Sequence, residues 1–476
     1  MDVDDIRLNA DNANQLAAGL AMLLEAAQRR IVDTSNDPLV SKLTQHLGRS
    51  VLDMPTVTES FGVWEHVNLQ RGLDAYLAAH SPEAQWYGIA GAGRNHQDLV
   101  DMLTDTALRG NYHLGAVDYR TVATGPDSAT EAVQVGLVNS VAPDGTPVVL
   151  AVRGPNEFRQ RQVMLHVIAP DKAIATAARD EIERLMKEHN AFRGALLQLD
   201  VNENRGNELL TFLRRPELSP ADVILPEGAL EAIEKHVVRS RARNEALIAH
   251  GQHLKRGVLL YGPPGTGKTH TVRYLMSRLT EATVVVLSGR AMRFLAEASA
   301  VVRSLQPSVL VIEDVDLIAE DRHLHESSSP LLFELLNRID GVDADADVTF
   351  VLTTNRVEVL EKALTDRPGR VDLALEIAKP GPVERERLLR LYTAGIELDL
   401  PDASELVAEL EGVTASFVRE LVRRAVLREL DEHPQRSRVR LDARTLRDTL
   451  RELTEERHEL TGKILGGALN PDQNSA

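Results

Sequence analysis

The residues best placed to do chemistry are Gly262-Pro263-Pro264-Gly265-Thr266-Gly267-Lys268-Thr269, which follow the apolar run Val258-Leu259-Leu260-Tyr261 without a break. Glycines at this spacing let successive backbone N–H groups turn inward around a phosphate, and the start of the following helix adds partial positive charge. Lys268 supplies a cation for β- and γ-phosphate oxygens, and Thr269 a hydroxyl for Mg2+. A strand before the loop and a helix reaching about Leu279 after it are the context this motif requires. ATP with Mg2+ is therefore the expected ligand.

A second apolar run, Val309-Leu310-Val311-Ile312, ends in Glu313-Asp314-Val315-Asp316. Adjacent carboxylates at a strand's end suit two jobs, holding a metal and polarising an attacking water. Glu313 is assigned to the Mg2+ shell with Thr269, partly through water, and Asp314 to the attacking water. Asn355, just past the strand-like run from Val348 to Leu352, offers a neutral amide that both donates and accepts and so can orient that water or sense the γ-phosphate. Arg367-Pro368-Gly369-Arg370 then presents two guanidinium groups on a rigid turn, too far along the chain for their own pocket. Taken alone, such a turn is more often a solvated loop. After the other motifs, Arg367 and Arg370 become candidate fingers for a neighbouring subunit's γ-phosphate.

The elements that must position these groups follow from periodicity. Strand and helix patterns alternate from Asp222 to about Ala378, and four short helical patterns follow, near 383–394, 403–411, 415–431 and 441–456. This predicts an α/β phosphate-loop core, a parallel sheet sandwiched by helices, over residues 222–380, and a helical lid over 381–460. Residues 461–476 read as a disordered tail, and 206–221, broken by Pro216 and Pro220, as a linker. Residues 1–205 read as an α+β region that recruits substrate or adaptor, either whole or divided into a helical 1–117 and an α+β 118–205. Its signals are an amphipathic helix over 10–32, a hairpin from Val133 to Val152 turning at Pro143-Asp144-Gly145, a strand from Val163 to Ile168 and a helix ending near His189. Gly91-Ala92-Gly93-Arg94-Asn95-His96 lacks the glycine spacing of a phosphate loop and a clear strand before it, so it reads as a turn. His96 and His113 have no partner at metal-ligand spacing.

Composition bounds the function. With 476 residues, 43% hydrophobic and 26% charged, the chain is globular and long enough for about three units. A net charge of −17 opposes non-specific nucleic-acid binding. The absence of cysteine removes disulfides and a thiol nucleophile, and fits a cytoplasmic setting. The acidic start Met1-Asp2-Val3-Asp4-Asp5 is unlike a secretory signal, and the apolar stretch from Leu16 to Leu24 falls short of the ~20 residues needed to span a bilayer. No membrane segment is expected.

Together these motifs resemble the AAA clade of AAA+ ATPases over about residues 219–430. Lys255 to Tyr261, Asp316 to Arg322 and Leu336 to Gly341 also look like family segments. The resemblance implies that Asn355 is the first sensor and that Arg367 and Arg370 act in trans. It implies too that Asp222 and Val223, with Ala415 and Ser416 of the lid, approach the adenine. It further implies a homo-oligomer, a hexameric ring that turns ATP hydrolysis into work on a protein substrate. The family's usual acidic order is Asp then Glu; here it is reversed, and an Asp base is one methylene shorter. Met292-Arg293-Phe294-Leu295 is the nearest equivalent of the family's pore grip, with Phe294 either a pore residue or a core aromatic. No His-Glu-x-x-His motif occurs, so no fused zinc protease is expected, and Gln473-Asn474-Ser475-Ala476 differs from the hydrophobic–Tyr–x ending of proteasome activators. The expected function is an ATP-hydrolysing ring motor that remodels, disassembles or translocates a protein substrate. The alternatives are a nucleotide-gated scaffold with little hydrolysis and a nucleic-acid motor or clamp loader.

Overall fold

The structure is a computed structural model, and it describes residues 18, 19, 22, 37–91, 93–94, 97–155, 162–199, 210–316, 345–357, 371–400, 402–435 and 438–466. The chain divides into two compact units, Met1–Phe192 with Asp200–Phe212, and Arg193–Leu199 with Leu213–Ala476.

In the first unit α1 (Pro38–Leu47) starts where Asp37 accepts the Leu39 N–H at 2.8 Å and stops at Gly48. Then come β1 (Thr56–Gly62), α2 (His66–His80), β2 (Trp86–Ala90), α3 (Leu99–Arg109), β3 (His113–Gly115), β4 (Asp118–Ala123), β5 (Ala129–Val141), β6 (Pro147–Arg153), β7 (Gln162–Ile168) and α4 (Lys172–Glu188). The sheet runs β1-β7-β6-β5-β2-β3, with β4 also on β5, and its registers are antiparallel. Val148, Leu150 and Val152 pack towards α2 and α4, whereas Val149 and Ala151 pack towards α1 and α3. Helices on both faces explain why this strand is an unbroken apolar run instead of an alternating one.

The hairpin expected around Pro143-Asp144-Gly145 is β5–β6, closed by Ala142 N–H to Thr146 C=O at 2.8 Å. The helical start expected for 1–117 gives way to a mixed segment, because β1, β2 and β3 lie within it. The Thr56–Gly62 strand has few large apolar residues and sits at the sheet edge, which hides it from a hydrophobicity pattern. A strand, β2, also precedes the 91–96 loop, and α3 follows it. Of the helix expected over 10–32, only residues 18, 19 and 22 are described, all helical.

The second unit opens with β8 (Leu196–Leu199), and β9 (Leu210–Leu213) spans the boundary between the units. It continues through α5 (Ala229–Val237), α6 (Asn244–Ala249), β10 (Arg256–Tyr261), α7 (Lys268–Arg278), β11 (Thr283–Leu287), α8 (Leu295–Ser304), β12 (Ser308–Ile312), β13 (Val348–Thr354) and β14 (Leu373–Glu376). Strand order is β14-β10-β13-β12-β11-β8, in parallel register. β8, counted by sequence with the amino-terminal region, instead pairs with β11, because its Leu196 can be buried against Val284 and Val286 there. The order reverses beside β10, so a crevice opens at the carboxyl end of this strand. The lid comprises α9 (Pro382–Tyr392), α10 (Ser404–Glu409), α11 (Ala415–Glu432) and α12 (Ala443–Gly466), with the short parallel pair β15 (Glu397–Asp399) and β16 (Arg440–Asp442). Its core joins Leu389, Leu406, Leu421, Leu441, Leu446 and Leu450. α12 runs to Gly466, so residues 461–466 are helical instead of tail; 467–476 lie outside the described residues. No helix among the described residues is long and apolar enough to cross a membrane.

The start of β10 is anchored by a closed polar triad. Arg256 Nη1 donates to Asp347 Oδ1 at 2.8 Å, Asn244 Nδ2 to Asp347 Oδ2 at 2.8 Å, and Arg256 Nη2 to Asn244 Oδ1. Arg256 and Asp347 side chains are only 6% and 14% exposed. Removing one member of a buried pair strands the other charge. Asp347→Ala should therefore cost about 3–5 kcal/mol of stability, read from chemical denaturation. An unchanged denaturation midpoint would show that the triad does not anchor β10.

Candidate active site

β10 delivers the chain directly into the loop 262–267, and two of its glycines are required by close approaches. At Gly262 (φ 143°) a Cβ would lie 2.3 Å from Ile377 O, and at Gly265 (φ 78°) one would lie 2.3 Å from Ser416 Oγ. Thr266 Oγ1 donates to Pro263 O at 2.9 Å and fixes the loop internally. Lys268, the first residue of α7, is 6% exposed, and its Nζ donates to Gly262 O at 2.8 Å and Pro263 O at 2.9 Å. Burial pulls its pKa below the ordinary lysine value, while Asp314 and Asp316 pull the other way.

The carboxylates come from the end of the neighbouring-but-one strand, β12. Glu313 N–H donates to Leu287 O at 3.0 Å, and Asp314 N–H to Thr353 Oγ1 at 2.9 Å. Asp314 sits at φ 52°, the left-handed region that acidic and amide side chains tolerate better than most. Burial raises the Glu313 pKa; a hydrogen bond with Thr269 lowers it, the neighbouring Asp314 raises it, and Arg273 lowers it. Asn355 Nδ2 donates to Asp314 Oδ1 at 3.1 Å. Thr269 thus meets Glu313, and Asn355 meets Asp314. The hydroxyl of Thr269 and the carboxylate of Glu313 are hard oxygen donors of the kind Mg2+ takes.

Asp316 was given no role by sequence. It is 5% exposed and accepts from Thr354 Oγ1 at 2.9 Å and from Asn355 N–H at 3.2 Å, so it fixes the backbone that carries the Asn355 amide. The signal for it was its place two residues beyond Asp314, at the end of the same apolar run.

The lid reaches the loop through α11. Thr414 precedes this helix, and Ser416 N–H donates to Gly265 O at 3.0 Å. Ala415 packs with Leu388 and Val418, beside Ile224, Tyr392 and Val413. In the segment expected to meet adenine, Val223 instead joins the core of the α/β sheet, and Ile224 is the residue facing the lid patch. The Asp222 carboxylate turns back to accept from Ser219 N–H and Oγ, each at 2.7 Å, while the Asp222 carbonyl lies 2.8 Å from His270 Nε2 on α7.

Arg367, Arg370, the stretch Leu317 to Arg322 and the stretch Leu336 to Gly341 lie outside the described residues, as does His96. Met292 and Leu295 are buried, and Phe294 is half-buried with the Arg293 guanidinium 5.0 Å from its ring centre. His113 pairs with Asp37 at 3.0 Å.

A parallel sheet with a phosphate-cradling loop at its crevice, and acidic residues at the end of the next strand but one, defines a P-loop nucleoside triphosphatase. The family model described as "ATPase family associated with various cellular activities (AAA)" matches residues 258–379, and the chain carries an AAA ATPase domain whose enzymatic activity is ATP hydrolysis. Proteasome-activating nucleotidase 2 of Halobacterium salinarum is 25% identical over 311 residues, 60% of this chain and 70% of its own length. The 26S proteasome regulatory subunit 10B of Dictyostelium discoideum is 34% identical over 189 residues, 37% of this chain and 48% of its own. Proteasome-activating nucleotidase 1 of Haloferax volcanii is 24% identical over 344 residues, 68% of this chain and 80% of its own.

If Asp316 positions Asn355, Asp316→Ala should leave the KM for ATP near its original value and lower kcat by up to about 100-fold, the scale of a small misplacement of a reacting group. Asp316→Asn, which keeps an acceptor for Thr354 and Asn355, should restore most of the loss. Steady-state ATP turnover of both variants tests this, and full activity in Asp316→Ala would remove the role.

Proposed function

We propose that this chain is the subunit of a cytoplasmic homo-oligomeric ring, hexameric as its resemblance implies, that uses ATP hydrolysis to remodel, disassemble or translocate a protein substrate. The observation that carries the reading is the direct hydrogen bond from Ser416 of the lid to Gly265 of the phosphate loop. A lid tied to the loop is sensitive to the presence and charge of the γ-phosphate, so loss of that group is transmitted as a movement of helices. Kinship with chains named for proteasome activation favours a protein as the load over a nucleic acid.

In this reading the loop N–H groups and Lys268 would hold the phosphates, and Thr269 and Glu313 would hold Mg2+, which would supply neutralisation of phosphate charge. Asp314 polarises the attacking water while Asn355 orients it. Arg367 and Arg370 complete the site of the next subunit. Apolar contacts from Ile224 and Ala415 flank the base.

ATP turnover per subunit should rise with protein concentration to a plateau, because a site completed by a neighbour gains activity as rings assemble. Tight binding with background turnover at every concentration would support the nucleotide-gated scaffold instead. Asp314→Asn should bind ATP and trap it unhydrolysed, as seen by nucleotide retention on gel filtration. If Glu313→Gln traps and Asp314→Asn turns over, the two acidic roles are exchanged. Lys268→Ala should abolish nucleotide binding in a fluorescent-nucleotide titration, and an unaltered affinity would sink the loop assignment.

A further inference from the structure

Two successive carboxylates reach one site, which an extended strand does not allow. Side chains along β12 alternate between the faces of the sheet, so a strand continued past Ile312 would send Glu313 and Asp314 to opposite sides. Both instead meet the phosphate-loop side. Glu313 is hydrogen-bonded with Thr269, while Asp314 accepts from Asn355 and its charge reaches Lys268, the residue before Thr269. The alternation breaks at Asp314 itself, which at φ 52° is the one non-glycine residue with positive φ among the described residues. Left-handed backbone is unfavourable for a residue with a Cβ, so it persists only where its surroundings hold it.

Three successive N–H groups show what holds it. That of Glu313 donates to Leu287 O at 3.0 Å and continues the ladder with β11. That of Asp314 turns to β13 and donates to Thr353 Oγ1 at 2.9 Å, and that of Val315 donates to Thr353 O at 2.9 Å. One residue of β13 therefore grips the turn at two points. Thr353 is 1% exposed, so water competes little for its hydroxyl. Any residue here would offer the carbonyl; the hydroxyl is what this side chain adds.

We infer that Thr353 is a positioning residue for ATP hydrolysis, its hydroxyl holding Asp314 in the left-handed turn that brings the Glu-Asp pair onto one side. This role rests on the assignment of Asp314 to the attacking water. Thr353 acts through the Asp314 backbone. Without the hydroxyl, the Asp314 N–H loses its acceptor and the turn relaxes towards extended backbone, which carries the carboxylate away from Asn355. Glu313 is held separately, by Leu287 and Thr269, so nucleotide binding survives the change and hydrolysis does not.

The test measures steady-state ATP turnover and fluorescent-nucleotide affinity of the full chain, at a protein concentration where turnover per subunit has reached its plateau. Thr353→Val puts a methyl of similar size in place of the hydroxyl. It should lower kcat about 10- to 100-fold, the scale of a small misplacement of a reacting group, and leave the KM and affinity for ATP near those of the parent. ATP should stay on this variant unhydrolysed through gel filtration. Thr353→Ser, which keeps the hydroxyl, should restore most of the turnover. If Thr353→Val does not fold, Thr353→Ala takes its place with the same loss expected. The role is overturned by full turnover in Thr353→Val, by a loss shared between kcat and nucleotide affinity, or by a Thr353→Ser variant as impaired as Thr353→Val. Asp314→Asn is assayed beside them. If it turns over like the parent, the assignment of Asp314 falls and the role of Thr353 with it; if it is inactive while Thr353→Val is fully active, Thr353 alone loses its role.

Discussion

A charged ammonium held almost out of solvent is the constraint on which the ATPase unit is built. Lys268 must stay protonated to meet phosphate oxygens, yet burial at 6% exposure disfavours its charge. The structure offsets this with the carbonyls of Gly262 and Pro263 on one side and the fields of Asp314 and Asp316 on the other. Each partner has its own requirement. The carbonyls are available only because the loop folds back on itself, which needs positive φ at its glycines. The acids are in range only because β12 lies one strand away from β10 in a parallel sheet, with β13 between them.

From that arrangement the rest of the site follows. β13, wedged between the strands of loop and acids, contributes Thr353 to the Asp314 backbone and leads into Asn355, which bonds the Asp314 side chain. Asp316 closes the circuit by holding Thr354 and the Asn355 N–H. Three successive residues, 353–355, are thereby committed to the orientation of two aspartates. Such a network tolerates little rearrangement, since each buried polar group depends on the others for its partner.

The motifs of the ATPase unit were legible because backbone conformation and charge are specified locally: the glycines, Lys268 and Thr269 follow one another, and a strand-period run points to each acid. Positions whose role depends on packing were less legible. Asp316 has the same sequence surroundings as a solvated acid. Ile224, and not Val223, faces the lid, because the direction of a side chain in a short extended segment is set by what packs behind it. In the first unit, β1 carries mostly polar and small residues and β2 is only the five residues Trp86–Ala90, interrupted by Gly88, whereas β6, buried on both faces, was evident.

The sequence by itself determined the nucleotide-binding chemistry, the parallel α/β class and the lid helices, because each rests on contiguous residues and on periodicities of one element. Tertiary structure decided which distant groups meet. It joined Ser416 to Gly265 and attached β8 to β11 of the ATPase sheet. These outcomes depend on strand order and on which face a residue presents, and both are settled by the competition of many elements for one core.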